Sequence, residues 1–233
     1  MQSSTYEARR GRIETYFDRT AAQAWARLTS AAPVGSIRAT VRAGRDRMRS
    51  TLLDWLPADL TGTRLLDAGC GTGALAVEAA RRGASVVAID LSPTLVDLAR
   101  ERLPLDLGPG SVEFRSGDML DPALGRFDHV VGMDSLIHYQ PSDVMRVLAA
   151  LTERTERSLL FTFAPSNPLL ATMIGVGRLF PSKNRAPFIE PVSETKLLRL
   201  VDTAPALADW KAARTQRISS GFYTSQALEL IRK

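Results

Sequence analysis

The chain has 233 residues, is 45% hydrophobic and carries a formal net charge of +5 at pH 7. This length accommodates one large α/β domain, or one domain with an appendage. No apolar run approaches the roughly 18–20 residues that a membrane-spanning helix requires, and a single cysteine, Cys70, permits no internal disulfide. The positive charge is modest and comes mainly from arginine, so we expect no nucleic acid partner.

Residues 1–57 precede the first predicted strand and are predicted to form a helical cap or arm. Apolar residues at helical spacing predict one helix over residues 6–19, a second short helix around Trp25 and Leu28, and a third that begins at Pro33.

The third helix of this arm is predicted to be amphipathic and basic. Its two faces consist of Ile37, Val41, Met48, Leu52 and Trp55 on one side, and Arg38, Arg42, Arg45 and Arg49 on another. Such a pattern is typical of a helix that packs on a core and exposes its charged face to solvent. A docking surface for a membrane or a partner is the alternative interpretation.

Residues 65–73 predict a strand, a tight glycine turn and the start of a helix over 74–82. Glycine lets the backbone approach a ligand closely, and the helix N-terminus offers unpaired N–H groups to it. The glycine spacing also fits a dinucleotide-binding turn. Asp67 decides between them, because a carboxylate there would repel a pyrophosphate but can hold the ammonium group of an amino acid. Cys70 is interpreted as a small residue of the turn, not a nucleophile.

Two further acids follow the next predicted strands. The strand 85–89 ends in Asp90, which is placed to accept the two hydroxyls of a ribose, and the strand 112–115 leads to Asp118. The D-x-G-x-G-x-G motif at 67–73, with these acids, resembles the class I methyltransferases that use S-adenosylmethionine (SAM). In that family the third Asp bonds the adenine amino group and the next residue covers the ring. The resemblance implies the following cofactor-binding residues: Asp67, Gly69, Cys70, Gly71, Gly73, Asp90, Leu91, Gly117, Asp118, Met119 and Met133.

The resemblance implies an α/β, Rossmann-like fold with a mostly parallel seven-stranded sheet and an antiparallel terminal hairpin, preceded by the N-terminal helices. The methyltransferase core is predicted to span residues 58–233, with a substrate lid at about 164–192. Its remaining predicted elements are a strand at 127–132, a loop at 133–139 facing the methyl donor, a helix at 141–152, a strand at 158–163, a helix at 193–201 and a hairpin of 210–218 with 222–231.

Segments outside the glycine motif resemble the magnesium protoporphyrin IX O-methyltransferase family of (bacterio)chlorophyll synthesis. They are YFDRT at 16–20, WARL at 25–28, IRATVRAGR at 37–45, DSLIHY at 134–139, GRLFP at 177–181 and SSGFY at 219–223. The resemblance covers nearly the whole chain. It implies that a propionate carboxylate of magnesium protoporphyrin IX is methylated to the monomethyl ester, with SAM as the methyl donor.

A propionate is already ionised at pH 7, so the reaction needs no strong general base. We expect His138 and Tyr16 to contact the reacting carboxylate; the alternatives are a helix-start histidine satisfied by backbone and a tyrosine on the apolar face of its own helix. No metal ligands are predicted. A lid arginine or lysine is expected to neutralise the second propionate.

Other functions stay open at this point. One is a SAM-dependent O-methyltransferase for another small hydrophobic acceptor, such as a quinone precursor; another is a non-enzymatic SAM-binding or nucleic-acid-binding module. The expected location is the cytoplasm, with peripheral contact to the photosynthetic membrane as an open alternative. The large subunit of magnesium chelatase is a candidate partner, because direct transfer would suit a product so insoluble and photoreactive.

Overall fold

The computed structural model describes residues 4–20, 29, 35–166 and 189–233. Within these residues one seven-stranded sheet forms the centre of the molecule. Its strands are β1 Arg64–Ala68, β2 Ser85–Asp90, β3 Ser111–Ser116, β4 Phe127–Gly132, β5 Thr155–Phe163, β6 Trp210–Ser220 and β7 Tyr223–Arg232.

The strands lie in the order β3-β2-β1-β4-β5-β7-β6. Strands β1 to β5 are parallel, while β7 runs antiparallel to both β5 and β6. The chain builds the sheet outward from β1 to β3 and then returns to place β4 on the other side of β1. Open α/β sheets bind ligands at this kind of switch point, beyond the carboxyl ends of the strands. The predicted fold class is confirmed.

Helices cover both faces of the sheet. The described helices are α1 Ser4–Thr15, α2 Ser36–Trp55, α3 Ala74–Arg81, α4 Pro93–Glu101, α5 Pro141–Thr152 and α6 Glu194–Thr203. Adjacent residues of a strand point to opposite faces, so Leu65 packs in the core that includes Met48 and Leu52 of α2, whereas Leu66 packs in the core of Leu148 and Leu197. In the described part of the chain, no helix is both long and apolar enough to cross a bilayer.

Several predicted boundaries shift. Helix α1 ends at Thr15 and a π-helical turn, Tyr16–Thr20, replaces the last turn of the predicted helix. The final hairpin turns at Gly221, with φ +57°, and Phe222 belongs to the turn and not to β7. The second arm helix around Trp25, and lid residues 167–188, lie outside the described residues. The division of the chain at residue 57 stays a prediction.

Candidate active site

A cavity of about 240 Å³ lies beyond the carboxyl ends of β1, β2 and β4. Strand β1 contributes Asp67 to its lining, and the loop after β4 contributes Met133 to Ser135, His138 and Tyr139. The remaining lining comes from the glycine turn, from the residues after β2 and β3, and from the arm, including α2. The cavity therefore occupies the switch point of the sheet.

The glycine turn fits tightly against the loop after β4. Gly69, with φ +88°, lies so close to Ser135 that a Cβ atom on it would come within 2.4 Å of the Ser135 Cβ. Gly71 also has a positive φ, and both glycines line the cavity. Gly73 does not line it; this residue precedes α3 and packs against the ring of Phe114. The turn thus presents bare backbone to a ligand, as the motif predicts.

Asp67 is a buried carboxylate at the wall of this cavity. The residue is 1% exposed, and its Oδ2 atom has no hydrogen-bond partner among the described residues. Burial, with the charge of Asp90 as a smaller cause, raises the pKa of Asp67 to about 7. A buried carboxylate oxygen without a donor is unfavourable unless a ligand supplies one. The ammonium group of SAM is such a donor, so this residue fits the predicted cofactor.

Asp90 holds the turn in place while lining the same cavity. Its carboxylate accepts hydrogen bonds from the backbone N–H of Gly71, at 2.8 Å, and of Ser92, at 3.0 Å. Leu91 lines the cavity beside it. Cys70 also faces the cavity, and burial raises the pKa of its thiol. A thiol with a raised pKa carries little thiolate, which agrees with its interpretation as a turn residue.

The third predicted acid has a different environment. Gly117 and Met119 line the cavity, but Asp118 does not. Its carboxylate accepts hydrogen bonds from the Tyr6 hydroxyl at 2.8 Å and the Arg10 guanidinium at 2.9 Å, both on α1. The structure therefore directs Asp118 toward the arm, and its proposed contact with adenine stays a prediction.

The two predicted catalytic residues both lie near Phe17 but are not equivalent. His138 lines the cavity, and its ring centroid is 5.8 Å from that of Phe17. The Phe17 ring in turn meets Tyr16 edge-on at 5.2 Å. Phe17 lines the cavity whereas Tyr16 does not. The sequence predicted Phe17 as part of the first helix and of the YFDRT segment, without a role in the site. Its position in the π-helical turn brings Phe17, instead of Tyr16, to the cavity.

Arg9 of α1 fixes the turn that carries His138. Its guanidinium donates to the His138 carbonyl oxygen at 2.6 Å and forms an ion pair with Glu190 at 2.8 Å. Tyr6, one turn earlier, stacks on Tyr139 with ring centroids 5.2 Å apart. The described part of α1 therefore packs against the turn that carries His138 and Tyr139.

Most of the arginine face of α2 lines the cavity. Arg42, Arg45 and Arg49 line the cavity, so the predictions of a solvent-exposed face or a docking surface are wrong for them. Arg45 forms an ion pair with Asp134, and Arg49 bonds Glu78 at 2.6 Å. The spacing of these arginines predicted one face correctly. It could not show that the face meets the end of β4.

The sheet order, the glycine turn and the buried Asp67 define a class I methyltransferase that uses SAM. The model for the family described as "Magnesium-protoporphyrin IX methyltransferase C-terminus" matches residues 132–232, and a general methyltransferase domain model matches 65–157. The chain is 51% identical to the magnesium-protoporphyrin O-methyltransferase of Rhodobacter capsulatus, over 97% of this chain and 98% of that protein. It belongs to the magnesium-protoporphyrin O-methyltransferase family, as the resemblance predicted.

Solved structures agree with this assignment. The crystal structure of magnesium protoporphyrin IX methyltransferase from Synechocystis PCC 6803 with bound SAH is similar at a TM-score of 0.82 and 27% identity, covering 96% of this chain and 99% of that chain. A second structure of that protein holds SAM. A ubiquinone biosynthesis O-methyltransferase from Xanthomonas oryzae is 35% identical, but over only 63% of this chain and 66% of that protein.

Proposed function

We propose that this chain transfers the methyl group of SAM to a propionate carboxylate of magnesium protoporphyrin IX, giving the monomethyl ester for (bacterio)chlorophyll biosynthesis. The observation that carries the proposal is the 51% identity to a magnesium-protoporphyrin O-methyltransferase across both chains. The cavity supports it independently, because it is lined both by a buried carboxylate suited to the cofactor and by arginines suited to an anionic acceptor.

Asp67, Asp90 and the glycine turn would hold the cofactor. Asp67 would accept from its ammonium group, Asp90 from its ribose, and the bare backbone at Gly69 and Gly71 would let the chain approach it closely. When bound, SAM supplies an electrophilic methyl group on a positively charged sulfur. Leu91 and Met119 would supply apolar contact to the ring system.

The acceptor carboxylate needs orientation more than activation. A propionate is ionised near pH 7, so ester formation requires no proton transfer from the acceptor. The residues around the loop after β4 must instead place one carboxylate oxygen in line with the methyl group and exclude water. His138 and Phe17 lie where they could do both, and Tyr16 would act on the carboxylate only through Phe17 or after a change in the arm.

The quinone-precursor alternative is weaker. The corresponding relative matches only 63% of this chain. A ring hydroxyl also has a pKa near that of tyrosine, about 10, and would need a general base to ionise it at neutral pH. A carboxylate acceptor has no such requirement.

The direct test is esterification of magnesium protoporphyrin IX with a labelled methyl donor, with the porphyrin dimethyl ester as the matched acceptor that offers no carboxylate. We expect label in a monomethyl ester with the first acceptor and none with the second. Label in a quinone precursor, without label in the porphyrin, would contradict the proposal.

We further propose a cytoplasmic enzyme that contacts the photosynthetic membrane peripherally and receives its substrate from the large subunit of magnesium chelatase. In support of a surface contact, Ile37 is 57% and Phe222 is 73% exposed. Phe222 follows Gly221, which lies against Thr40 in the first turns of α2, where Ile37 and the exposed Arg38 also lie. Sedimentation with anionic vesicles tests the membrane contact, and pull-down with the purified chelatase subunit tests the transfer partner. No binding in either assay would reject both.

A further inference from the structure

Side chains of both charges line the cavity. The carboxylates are those of Asp67, Asp90, Asp134 and Asp46, and α2 contributes the guanidinium groups of Arg42, Arg45 and Arg49. The substrate of the proposed function has two propionates, and only one is methylated. A site that binds it must therefore hold a second carboxylate that stays charged.

Asp134 lines this cavity beside Arg45 of α2. It directly follows Met133 beyond β4, and its φ of +54° makes it the single described non-glycine residue with a positive φ. Such a conformation is unfavourable for a residue with a side chain and persists only where the surroundings impose it, often at functional sites. The strain points to a role for the position of this carboxylate.

The contacts of Asp134 explain how that position is imposed. Its backbone N–H donates to Thr162 Oγ1 at 2.7 Å, and its carboxylate accepts from Ser225 Oγ at 3.1 Å and from the Tyr223 hydroxyl at 3.2 Å. These partners come from β5 and β7. The Asp134 side chain is only 7% exposed, so its negative charge requires a cation.

Arg45 of α2 is that cation. It forms an ion pair with Asp134, and its own side chain is 18% exposed at the cavity wall. The preceding residue, Gly44, brings α2 against β7: a Cβ atom on Gly44 would lie 2.5 Å from the Tyr223 ring. Tyr223 thus contacts α2 through its ring and the Asp134 carboxylate through its hydroxyl. The position of Arg45 therefore depends both on the packing of α2 and on the ion pair with Asp134.

We propose that Arg45, positioned by Asp134, binds the propionate of the acceptor that is not methylated. The inference rests on the proposed function and names the group that recognises the second carboxylate. A planar guanidinium has five N–H donors, more than one carboxylate accepts, so an arginine held by one carboxylate can receive another. Asp134 is a positioning residue: it sets the direction of Arg45 and need not touch the acceptor. The expected lid arginine or lysine lies outside the described residues, and the proposal assigns this role to a residue on α2.

The experiment compares two acceptors, magnesium protoporphyrin IX and its dimethyl ester, by absorbance titration against the full chain in the presence of SAH. The measured quantity is the ratio of the two dissociation constants. The variants are Arg45→Gln, Arg45→Lys and Asp134→Asn, with Arg38→Gln as the control, since Arg38 is an exposed arginine on the same helix. A general loss of folding weakens both acceptors and SAH alike, whereas loss of carboxylate recognition weakens only the diacid.

We expect the wild type to prefer the diacid and Arg45→Gln to lose about tenfold of that preference, the size of one hydrogen bond to a charged group. Arg45→Lys should retain part of this preference, because the positive charge remains but the paired N–H donors of the planar guanidinium are lost. Asp134→Asn should lose part, and Arg38→Gln none. A full preference in Arg45→Gln would overturn the inference while leaving the function intact. A wild type that forms no porphyrin ester would overturn both, and a full preference in Asp134→Asn would overturn the positioning role.

Discussion

The two walls of the cavity differ in how the chain builds them. The cofactor wall comes from one continuous stretch, β1 to the residues after β3, and its key groups are backbone atoms and buried carboxylates. The acceptor wall joins α1, the π-helical turn and α2 to the loop after β4, which follows these three elements only much later in the sequence. Cofactor recognition is therefore a local property of the sequence, and acceptor recognition depends on long-range packing.

The walls also differ in electrostatics. On the cofactor wall, burial raises the pKa of both Asp67 and Asp90. On the acceptor wall, arginines are paired with carboxylates, as Arg45 is with Asp134. On the cofactor wall, the charged form of the buried carboxylates is unfavourable until a cationic ligand binds. On the acceptor wall, the ion pair with Asp134 already fixes the direction of the Arg45 guanidinium.

The largest effect on the cofactor wall is expected from Asp67→Asn. The change removes the carboxylate that would accept from the cofactor, and we expect SAH to bind at least about thirtyfold more weakly, the cost of truncating one member of a buried charge pair. Calorimetric titration with SAH measures this loss. Asp97→Asn is the control, because Asp97 is an exposed carboxylate on α4 that forms an ion pair with Arg100. Unchanged SAH affinity in Asp67→Asn would remove Asp67 from the site.

On the acceptor wall, His138→Ala should lower turnover of magnesium protoporphyrin IX about tenfold, the value of one lost hydrogen bond, with SAH affinity retained. His129→Ala is a matched control inside β4, before the carboxyl end of the strand. His129 is buried and bonds Ser158 at 2.7 Å, so its replacement should lower stability without lowering turnover per folded molecule. Equal turnover in His138→Ala and wild type would assign His138 a structural role.

A smaller effect follows from the pKa of Asp67, about 7. The cofactor binds the ionised carboxylate, whose fraction rises about fivefold between pH 6 and pH 7 for such a pKa. SAH affinity should rise accordingly in the wild type and stay flat in Asp67→Asn. Because the folded-state pKa of Asp67 is raised above its unfolded value, the contribution of Asp67 to stability should fall as pH rises from about 4 to 7. Asp67→Asn should lessen that slope in thermal unfolding; an unaltered slope would contradict the assignment.

The smallest expected effect on turnover comes from Gly44→Ala. Its new Cβ would meet the Tyr223 ring at 2.5 Å, so we expect about 1–3 kcal/mol of destabilisation and a slight retreat of α2 from the acceptor wall. Urea unfolding and porphyrin titration measure the two changes, with SAH affinity preserved. Gly11→Ala, in α1 where a Cβ meets nothing within 4 Å, is the helical control and should not destabilise.

This contrast also explains what could be predicted from the sequence. The bounds of β4 and α5 agree with the sequence prediction, because both depend on local pattern. For the same reason the seven-residue motif at 67–73 was enough to predict Asp67 as a cofactor-binding residue. Helical periodicity could not show that the arginines of α2 face the cavity. Nor could it show that Asp118 bonds Tyr6 and Arg10, since those contacts join residues more than 100 positions apart.

The contact between Gly44 and Tyr223 also orders events during synthesis. Helix α2 leaves the ribosome before any strand, whereas β7 is the last strand of the sheet, and the two meet across nearly the whole sequence. Contacts of such separation form late, because the loop between them must close first. A nascent chain can thus form the glycine turn with Asp67 and Asp90 before β7, which holds Tyr223 against α2, has been synthesised.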